Sequence, residues 1–318
     1  MLPSRYNLTN LRRVVRDPRR LRTEAEALGS RLNRAVAARR HPPGDAVAIM
    51  DEDWDNCFVL DACRYDLFAE RHDLPGELRK VTSAGSQSLE FMERNFAGET
   101  YHDTVYVTAN PFVTRLDDGV FHRVVDCFAD EWDPDLGTVP PEAVVDATRA
   151  ANERYPEKRL LVHFMQPHYP FIGERGRELD SGGVTGHVTG QAKTDEPADS
   201  IWDRLAAGDP DVSPETAWAA YAENFDLVQE HVADLAAALD GKTVVTADHG
   251  NLFGERQWPV PFRRYGHPAR LRVTELVEVP WHELPADERR TVTADPPEQT
   301  DDVASDTVRD RLDNLGYA

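Results

Sequence analysis

The segment from Lys242 to Arg256, KTVVTADHGNLFGER, constrains the fold of this chain more than any other. Its residues Thr243 to Ala247 are β-branched or small, which is typical of a buried strand. The strand stops at Asp248, His249 and Gly250. A carboxylate and an imidazole are costly to bury without a partner, and a bound cation would be such a partner. The segment therefore predicts a metal site at a strand end, and the alternative is a loop-capping Asp beside a packed His.

Other apolar strands end in polar residues too. The run Cys57 to Leu60 is followed by Asp61, and the run Arg159 to Met165 leads into His168. Helical patterns alternate with these strands, the longest from about Pro214 to Leu239. Such alternation predicts an α/β/α sandwich with a largely parallel central sheet. Because sites in such sheets form at strand ends, we expect the polar residues to converge.

The charge distribution divides the chain into a basic helical arm (1–44), the α/β domain that carries the predicted site (45–285) and an acidic tail with a short helix near Val303 to Leu315 (286–318). The first forty residues contain 11 Arg and three acidic residues. Apolar residues at helical spacing, interrupted at Asp17-Pro18, predict two amphipathic helices in the arm. These helices can make a peripheral membrane contact through residues 1–40, or they can pack against the protein's own acidic surface.

The composition narrows the classes of function. The formal net charge is -21, from 57 acidic and 36 basic residues, of which only four are lysines. Excess carboxylate with little Lys is typical of proteins from salt-loving organisms, and it argues against nucleic-acid binding. No apolar run is long enough to span a membrane, and Met1 to Ser30 lacks the apolar core of a secretory signal, which predicts a cytoplasmic protein.

The three cysteines and one long loop give two further predictions. The cysteines Cys57, Cys63 and Cys127 have spacings that fit neither a disulfide framework nor a zinc knuckle, so we expect them to pack in the core. The stretch from Gly173 to Asp199 is rich in Gly, Thr and acidic residues without periodicity, and it is a candidate lid.

A hydroxyl-rich turn, Ser83 to Ser88, precedes a predicted helix from Leu89 to Asn95. A serine at such a junction can cap the helix, and it can also hold an anion near the free backbone N–H groups. The turn is therefore either an ordinary helix cap or part of a site.

Five motifs in this order resemble the alkaline phosphatase superfamily, and within it the sulfatase-like, phosphoglycerol-transferase-like branch. They are VLDACRYD, the S-x-x-x-E-F turn from Ser86 to Phe91, HFMQPHYPF, TADHGNLFGE and YGHP. The resemblance covers roughly residues 54 to 282. It implies an α/β/α sandwich whose metal lies at the carboxyl ends of the strands.

The resemblance also implies the residues of the site. The implied metal ligands are Asp61, Ser86, Asp248 and His249. Ser86 is the implied nucleophile, because it stands four residues before Glu90-Phe91 as the family's threonine does, with Ser88 and Thr82 as alternatives. His168 and His267 would contact the transferred group, and Arg64 would pair with an anionic oxygen.

The chain departs from some branches of the family. No cysteine or serine lies in the C/S-x-P-x-R pattern of formylglycine sulfatases, so sulfate-ester hydrolysis by that mechanism is disfavoured. No Asp-x-x-x-His pair stands at a position that matches the second metal site of the two-metal members of the family. The resemblance therefore implies one divalent ion, with Mn²⁺ or Mg²⁺ favoured over Ca²⁺ or Zn²⁺.

These features predict a metal-dependent phosphoryl or phosphodiester hydrolase or transferase with a phosphate- or sulfate-ester substrate. A cation beside a serine hydroxyl stabilises the alkoxide that attacks phosphorus. Lipid-linked glycans or phospholipid head groups are candidate acceptors. The alternatives are a soluble phosphatase, phosphodiesterase or sulfuric ester hydrolase, and a catalytically silent protein that binds a phosphorylated ligand.

Overall fold

A seven-stranded sheet forms the centre of the protein, described here by a computed structural model over residues 18–179 and 200–298. The strands of the described ranges are β1 (Asn56–Leu60), β2 (Glu77–Thr82), β3 (Tyr101–Thr108), β4 (Phe121–Asp126), β5 (Arg159–Phe164), β6 (Thr243–Thr246), β7 (Leu252–Arg256), β8 (Arg263–Gly266) and β9 (Glu278–Glu283). The sheet order is β2-β9-β6-β1-β5-β3-β4, while β7 and β8 form a separate hairpin. Only β9 runs antiparallel to the other six strands of the sheet. The predicted, largely parallel α/β architecture is confirmed.

Helices connect and cover the strands. Those in the described ranges are α1 (Pro18–Arg40), α2 (Tyr65–Arg71), α3 (Ser88–Phe96), α4 (Cys127–Asp130), α5 (Pro141–Arg154), α6 (Glu174–Glu178), α7 (Ile201–Ala207), α8 (Pro214–Ala238) and α9 (Thr274–Val277). Short 3-10 turns lie at Pro43–Asp45, Ile49–Asp51 and Pro111–Arg115. The predicted long helix is α8, which begins at a Ser213 capping box and ends one residue earlier than predicted.

Both faces of the sheet are buried, which explains why β1 is apolar along its whole length. On one face, α8 packs with Tyr221, Phe225 and Val228 fully buried. On the other face, Phe91 of α3 lies in a cluster with Trp54. Burial of each such side chain stabilises the fold by about 1.5–3 kcal/mol. All three cysteines are buried and free, as predicted.

The strand register brings the polar strand ends together. β1 lies between β5 and β6, with Val59 paired to His163 on one side and to Thr246 on the other. Asp61 follows β1 directly, and Asp248 lies two residues beyond the end of β6. Because all three strands run in the same direction, their carboxyl ends share one edge of the sheet.

The described part of the basic N-terminal segment packs against a hairpin of the main domain. Residues 18–40 form one helix, α1, and the first of the two predicted helices lies outside the described residues. The partner of α1 is not an acidic surface. Asn33 exchanges two hydrogen bonds with the backbone of Val260, at 2.8 and 2.9 Å, and Ser30 accepts one from Arg264 at 2.6 Å. The helix thus docks on the β7–β8 hairpin.

The described part of the acidic tail, up to residue 298, makes contacts with the main domain. Buried Lys158 donates to Asp295 at 2.6 Å, and Tyr155 donates to Glu298 at 2.7 Å. A buried ammonium requires a counter-charge, which the tail supplies. The predicted helix near residues 303–315 and most of the candidate lid, residues 180–199, lie outside the described residues.

The hydroxyl of one tyrosine of α8 holds the backbone of the turn after β1. Tyr221 donates to the carbonyl of Ala62 at 2.6 Å and accepts from the N–H of Arg64 at 3.0 Å. Tyr221→Phe leaves both buried backbone groups unpaired. We expect the free energy of unfolding to fall by about 1–3 kcal/mol in denaturant titrations.

The control is Tyr65→Phe, which removes the hydroxyl of a half-buried tyrosine at the start of α2. This change should move the free energy of unfolding by less than about 0.5 kcal/mol. Equal effects of the two substitutions would contradict the role given to Tyr221.

Candidate active site

Three buried side chains could hold a metal ion at the carboxyl edge of the sheet. Ligand atoms of Asp61, Asp248 and His249 all lie within 4.8 Å of one another. All three side chains are fully buried. Two neighbouring carboxylates repel each other at low dielectric unless a cation lies between them.

Each carboxylate offers one oxygen to this centre and keeps the other for the protein. Oδ2 of Asp61 accepts from Asn110 Nδ2 at 2.6 Å. Oδ1 of Asp248 accepts from the N–H groups of Ala62 and His249, at 3.0 and 2.8 Å. The remaining oxygens, Oδ1 of Asp61 and Oδ2 of Asp248, are buried and have no hydrogen-bond partner in the described residues.

The two remaining oxygens face one imidazole nitrogen. His249 Nε2 lies 3.6 Å from Oδ1 of Asp61 and 3.4 Å from Oδ2 of Asp248. These separations exceed ordinary hydrogen bonds, but ligands about 2.1 Å from a shared tetrahedral ion lie ~3.4 Å apart. His249 Nδ1 contacts the carbonyl of Gly250 at 2.7 Å, which keeps Nε2 available to a metal. The donor set therefore fits a divalent cation.

Ser88, rather than Ser86, contacts this centre. Ser88 is the first residue of α3, and its Oγ lies 3.3 Å from Asp61 Oδ2 and 3.2 Å from His249 Nε2. Thr82 ends β2, and no hydrogen bond from its side chain reaches the centre among the described residues. Of the three candidate nucleophiles Ser86, Ser88 and Thr82, only Ser88 has a hydroxyl within hydrogen-bond distance of the Asp61 and His249 side chains in the described structure.

The hydroxyl of Ser86 serves the turn instead. Ser86 Oγ donates to Glu90 Oε2 at 2.7 Å and lies 3.2 Å from the carbonyl of Pro268. Burial alone would raise the pKa of Glu90, but the Ser86 hydroxyl and N–H and the Arg270 N–H lower it below its usual value. Ser86 and Glu90 thus connect the start of α3 to the loop after β8.

The two predicted histidines do lie at the centre. The His267 ring stacks on that of His249 at 4.7 Å and meets the His168 ring edge-on at 5.0 Å. Burial lowers the pKa of both His168 and His267, so both imidazoles are neutral at pH 7. Asn224 of α8 positions the His168 loop, because its Nδ2 lies within hydrogen-bonding distance of three carbonyls there.

His163 and Asn110 also lie at the site. His163 belongs to the polar strand ends expected to converge, but the sequence predicted no role for either residue. His163 Nε2 lies 3.6 Å from Asp61 Oδ2 and 3.7 Å from Asp248 Oδ2, and its Nδ1 contacts the Tyr106 hydroxyl at 3.0 Å. The signal for His163 was a histidine inside the otherwise apolar run LLVHF. Burial alone would raise the pKa of the Asp61 carboxyl, but three histidines, with His168 first, lower it below its usual range.

Arg64 lies apart from the centre. Its guanidinium donates to Asp66 at 2.8 and 2.5 Å and to Glu255 at 2.6 Å, and it covers the Trp218 ring at 4.8 Å. Burial alone would lower the pKa of Arg64, but the two carboxylates raise it above its ordinary value. The side chain predicted to bind an anionic oxygen is thus already neutralised by the protein.

Comparison with known proteins gives a likeness to solved structures only. No protein-family model matches the chain, and no curated protein matches it. Lipooligosaccharide phosphoethanolamine transferase A (EptA) from Neisseria meningitidis, an integral membrane protein, is similar over 73% of this chain, at 12% identity and a TM-score of 0.44. The match covers 47% of EptA, so this chain spans about half the length of that protein.

Two further structures are similar. The periplasmic domain of EptC from Escherichia coli, solved in complex with Zn, matches 73% of this chain and 72% of that domain, at 12% identity and a TM-score of 0.42. The periplasmic domain of the Campylobacter jejuni phosphoethanolamine transferase EptC matches 72% and 77%, at 9% identity and a TM-score of 0.40. At these sequence identities and TM-scores the similarity is one of fold alone, and no functional argument rests on it.

The same structures correct the predicted location. They are periplasmic domains or a membrane protein, which contradicts the cytoplasmic location expected from the sequence, and that prediction is withdrawn. It depended on the lack of a secretory signal and of a membrane-spanning run, and such absences do not define a compartment. Within residues 18–179 and 200–298, no helix is both long and apolar enough to cross a bilayer.

Proposed function

We propose that this chain is a metal-dependent transferase of phosphoryl or phosphodiester groups, with Ser88 as its nucleophile. One observation carries the proposal. The unpaired carboxylate oxygens of Asp61 and Asp248, His249 Nε2 and the Ser88 hydroxyl converge on one buried point. This donor set suits a divalent cation, with a hydroxyl beside it.

The bound metal would lower the pKa of the serine hydroxyl and draw charge from a phosphoryl oxygen. Ser88 Oγ then forms a bond to phosphorus while the ester bond to the leaving group breaks, which gives a phosphoserine. The serine proton passes to a neutral imidazole, His168 or His267, and from there to the leaving oxygen. An acceptor hydroxyl then gives its proton to the same imidazole and attacks the phosphoserine. The bond between Ser88 Oγ and phosphorus breaks, and the serine takes that proton back.

The position of Ser88 favours this chemistry for a second reason. Ser88 begins α3, a helix of nine residues, so the N-terminal backbone N–H groups and the helix dipole lie beside its hydroxyl. Both stabilise the negative charge that develops on the transferred phosphoryl group. Ser86 lacks this position because its hydroxyl is committed to Glu90.

The acceptor we propose is a hydroxyl of a lipid-linked glycan or of a phospholipid head group. Water as the acceptor would make the same site a phosphatase or phosphodiesterase. The silent, binding-only alternative is less favoured. In that case two buried carboxylates, with a serine at a helix start beside them, would destabilise the fold by charge repulsion without serving a function.

The metal site can be tested without any substrate. Asp248→Asn keeps the Oδ1 acceptor but replaces the ligating oxygen with an amide, so metal affinity should fall by at least about a hundredfold. Elemental analysis after dialysis against Mn²⁺ or Zn²⁺ should give one ion per wild-type chain and close to none in the variant. In chelator the variant should be at least as stable as wild type, because one of two repelling charges is gone.

The matched control is Asp226→Asn, which changes a carboxylate that pairs with Arg71 at the surface. It should retain the full metal content. Equal metal content in Asp248→Asn and wild type would contradict the assigned centre.

The nucleophile can be tested by two serine variants of the same turn. Ser88→Ala should abolish metal-dependent turnover of bis-p-nitrophenyl phosphate and the trapping of labelled phosphoserine, with a loss of about 10³-fold or more. Ser86→Ala should keep most of the turnover, because the Ser86 hydroxyl contacts Glu90 and the loop after β8 rather than the metal centre. Turnover lost in Ser86→Ala and kept in Ser88→Ala would make Ser86 the nucleophile and contradict our assignment.

A further inference from the structure

We propose that a cavity beside the active site, bounded by Arg34, Arg263 and Arg264, binds a second phosphate group of the substrate. The inference rests on the proposed function for its role in transfer, although the binding itself can be measured alone. It deepens that function by naming a substrate that carries two phosphate groups, of which one reacts and one anchors.

The cavity has a volume of about 280 Å³ and lies between α1, the start of α7 and β8. Its walls also include the polar groups of Ser30, Asn33 and Gln257, and the ring of Trp202. A cavity of this size holds a phosphate group together with the part of the substrate next to it.

The charge of the cavity favours an anion. In the described ranges, none of the three arginines has a carboxylate within ion-pair distance. Arg264 donates to Ser30 Oγ at 2.6 Å, and Arg263 donates to the carbonyl of Gly254 at 3.1 Å, so both side chains are held by neutral groups. Guanidinium groups match phosphate oxygens in geometry as well as in charge.

One carboxylate, that of Asp203, also lines the cavity. Its Oδ2 accepts from the Ser200 hydroxyl at 2.8 Å. Three positive charges therefore face one negative charge. This excess stands out in a chain whose formal net charge is -21, where most arginines could find acidic partners.

The cavity is connected to the candidate active site through two of its lining residues. Pro268 lines the cavity, and the residue before it, His267, stacks on His249 at 4.7 Å. Leu271 lines it as well, and its N–H donates to Ser86 Oγ at 3.3 Å. A substrate anchored among the arginines could therefore extend past His267 to the reacting centre.

The packing of α1 explains how the third arginine reaches this place. Asn33 is buried and fixes the helix to Val260 by two hydrogen bonds, which places the next residue, Arg34, at the cavity wall. The N-terminal helix thus completes a binding site that the catalytic domain alone would leave with two arginines.

The test measures phosphate binding by the full chain in the presence of a chelator. Without a metal ion, the carboxylates of Asp61 and Asp248 repel anions, so phosphate binding reports on the cavity. Isothermal titration with inorganic phosphate and with glycerol 3-phosphate compares wild type with Arg263→Gln/Arg264→Gln. We expect Kd to rise at least about tenfold in the double variant, and circular dichroism should show unchanged folding. The control Arg71→Gln/Arg79→Gln, with both changes on the protein surface, should bind like wild type.

Competition then identifies the source of the phosphate. Displacement of glycerol 3-phosphate by phosphatidylglycerol vesicles indicates a lipid head group, and displacement by soluble phosphate esters alone indicates a free or glycan-borne group. No phosphate binding by chelated wild type, or equal Kd in the double variant, would overturn the proposal.

The two proposals fail separately. If the double variant binds phosphate more weakly but wild type shows no metal-dependent turnover, phosphate binding in the cavity is supported and the transferase proposal is refuted. If the double variant binds phosphate as wild type does and wild type shows metal-dependent turnover, the transferase proposal is supported and phosphate binding in the cavity is refuted. If both proposals are correct, the double variant should have a higher KM for a bisphosphate substrate and an unchanged kcat for bis-p-nitrophenyl phosphate.

Discussion

The repulsion between two buried carboxylates is the constraint on which the rest of this structure depends. Asp61 and Asp248 end neighbouring parallel strands, so the sheet itself forces them together. The protein satisfies one oxygen of each with Asn110 and with backbone N–H groups, and it leaves the other oxygen of each unpaired. Such an arrangement is costly without a cation. A bound cation would offset this cost, which is why the proposed function includes a metal ion.

The surroundings of this pair are built to hold it in place. Tyr221 fixes the turn after Asp61, and Asn224 fixes the loop that carries His168, so both side chains of α8 act on the site from one helix. His163 approaches both carboxylates from β5. These contacts keep the ligand oxygens in one geometry, which lowers the reorganisation needed when a metal binds.

The sheet, and the meeting of Asp61 with Asp248 and His249 at its edge, could be predicted from the sequence because both follow from local patterns. β1 and β6 are short apolar runs that stop at a carboxylate, and α8 shows its buried face at helical spacing. The assignment of the nucleophile could not follow in the same way. Ser86 and Ser88 are two residues apart, and which one faces Asp61 depends on where α3 begins. The motif spacing of a relative does not define that starting residue.

Long-range pairing explains the other differences between sequence and structure. Arg64 was expected to bind substrate, but Glu255, which is 191 residues away, neutralises it. Packing against acidic groups was one of the two interpretations of the basic α1, but the described helix docks on a hairpin that is itself basic. That contact concentrates positive charge next to the active site of an acidic protein, and charge counts along the chain do not reveal it.

We infer that one divalent ion binds between Asp61, Asp248, His249 and Ser88. Anomalous X-ray diffraction from crystals soaked in Mn²⁺, recorded on both sides of the manganese absorption edge, tests this binding directly. We expect one strong anomalous peak about 2.0–2.4 Å from the unpaired oxygens of both carboxylates and from His249 Nε2, with Ser88 Oγ in the same shell. A fully occupied peak elsewhere, with water between the two carboxylates, would contradict it.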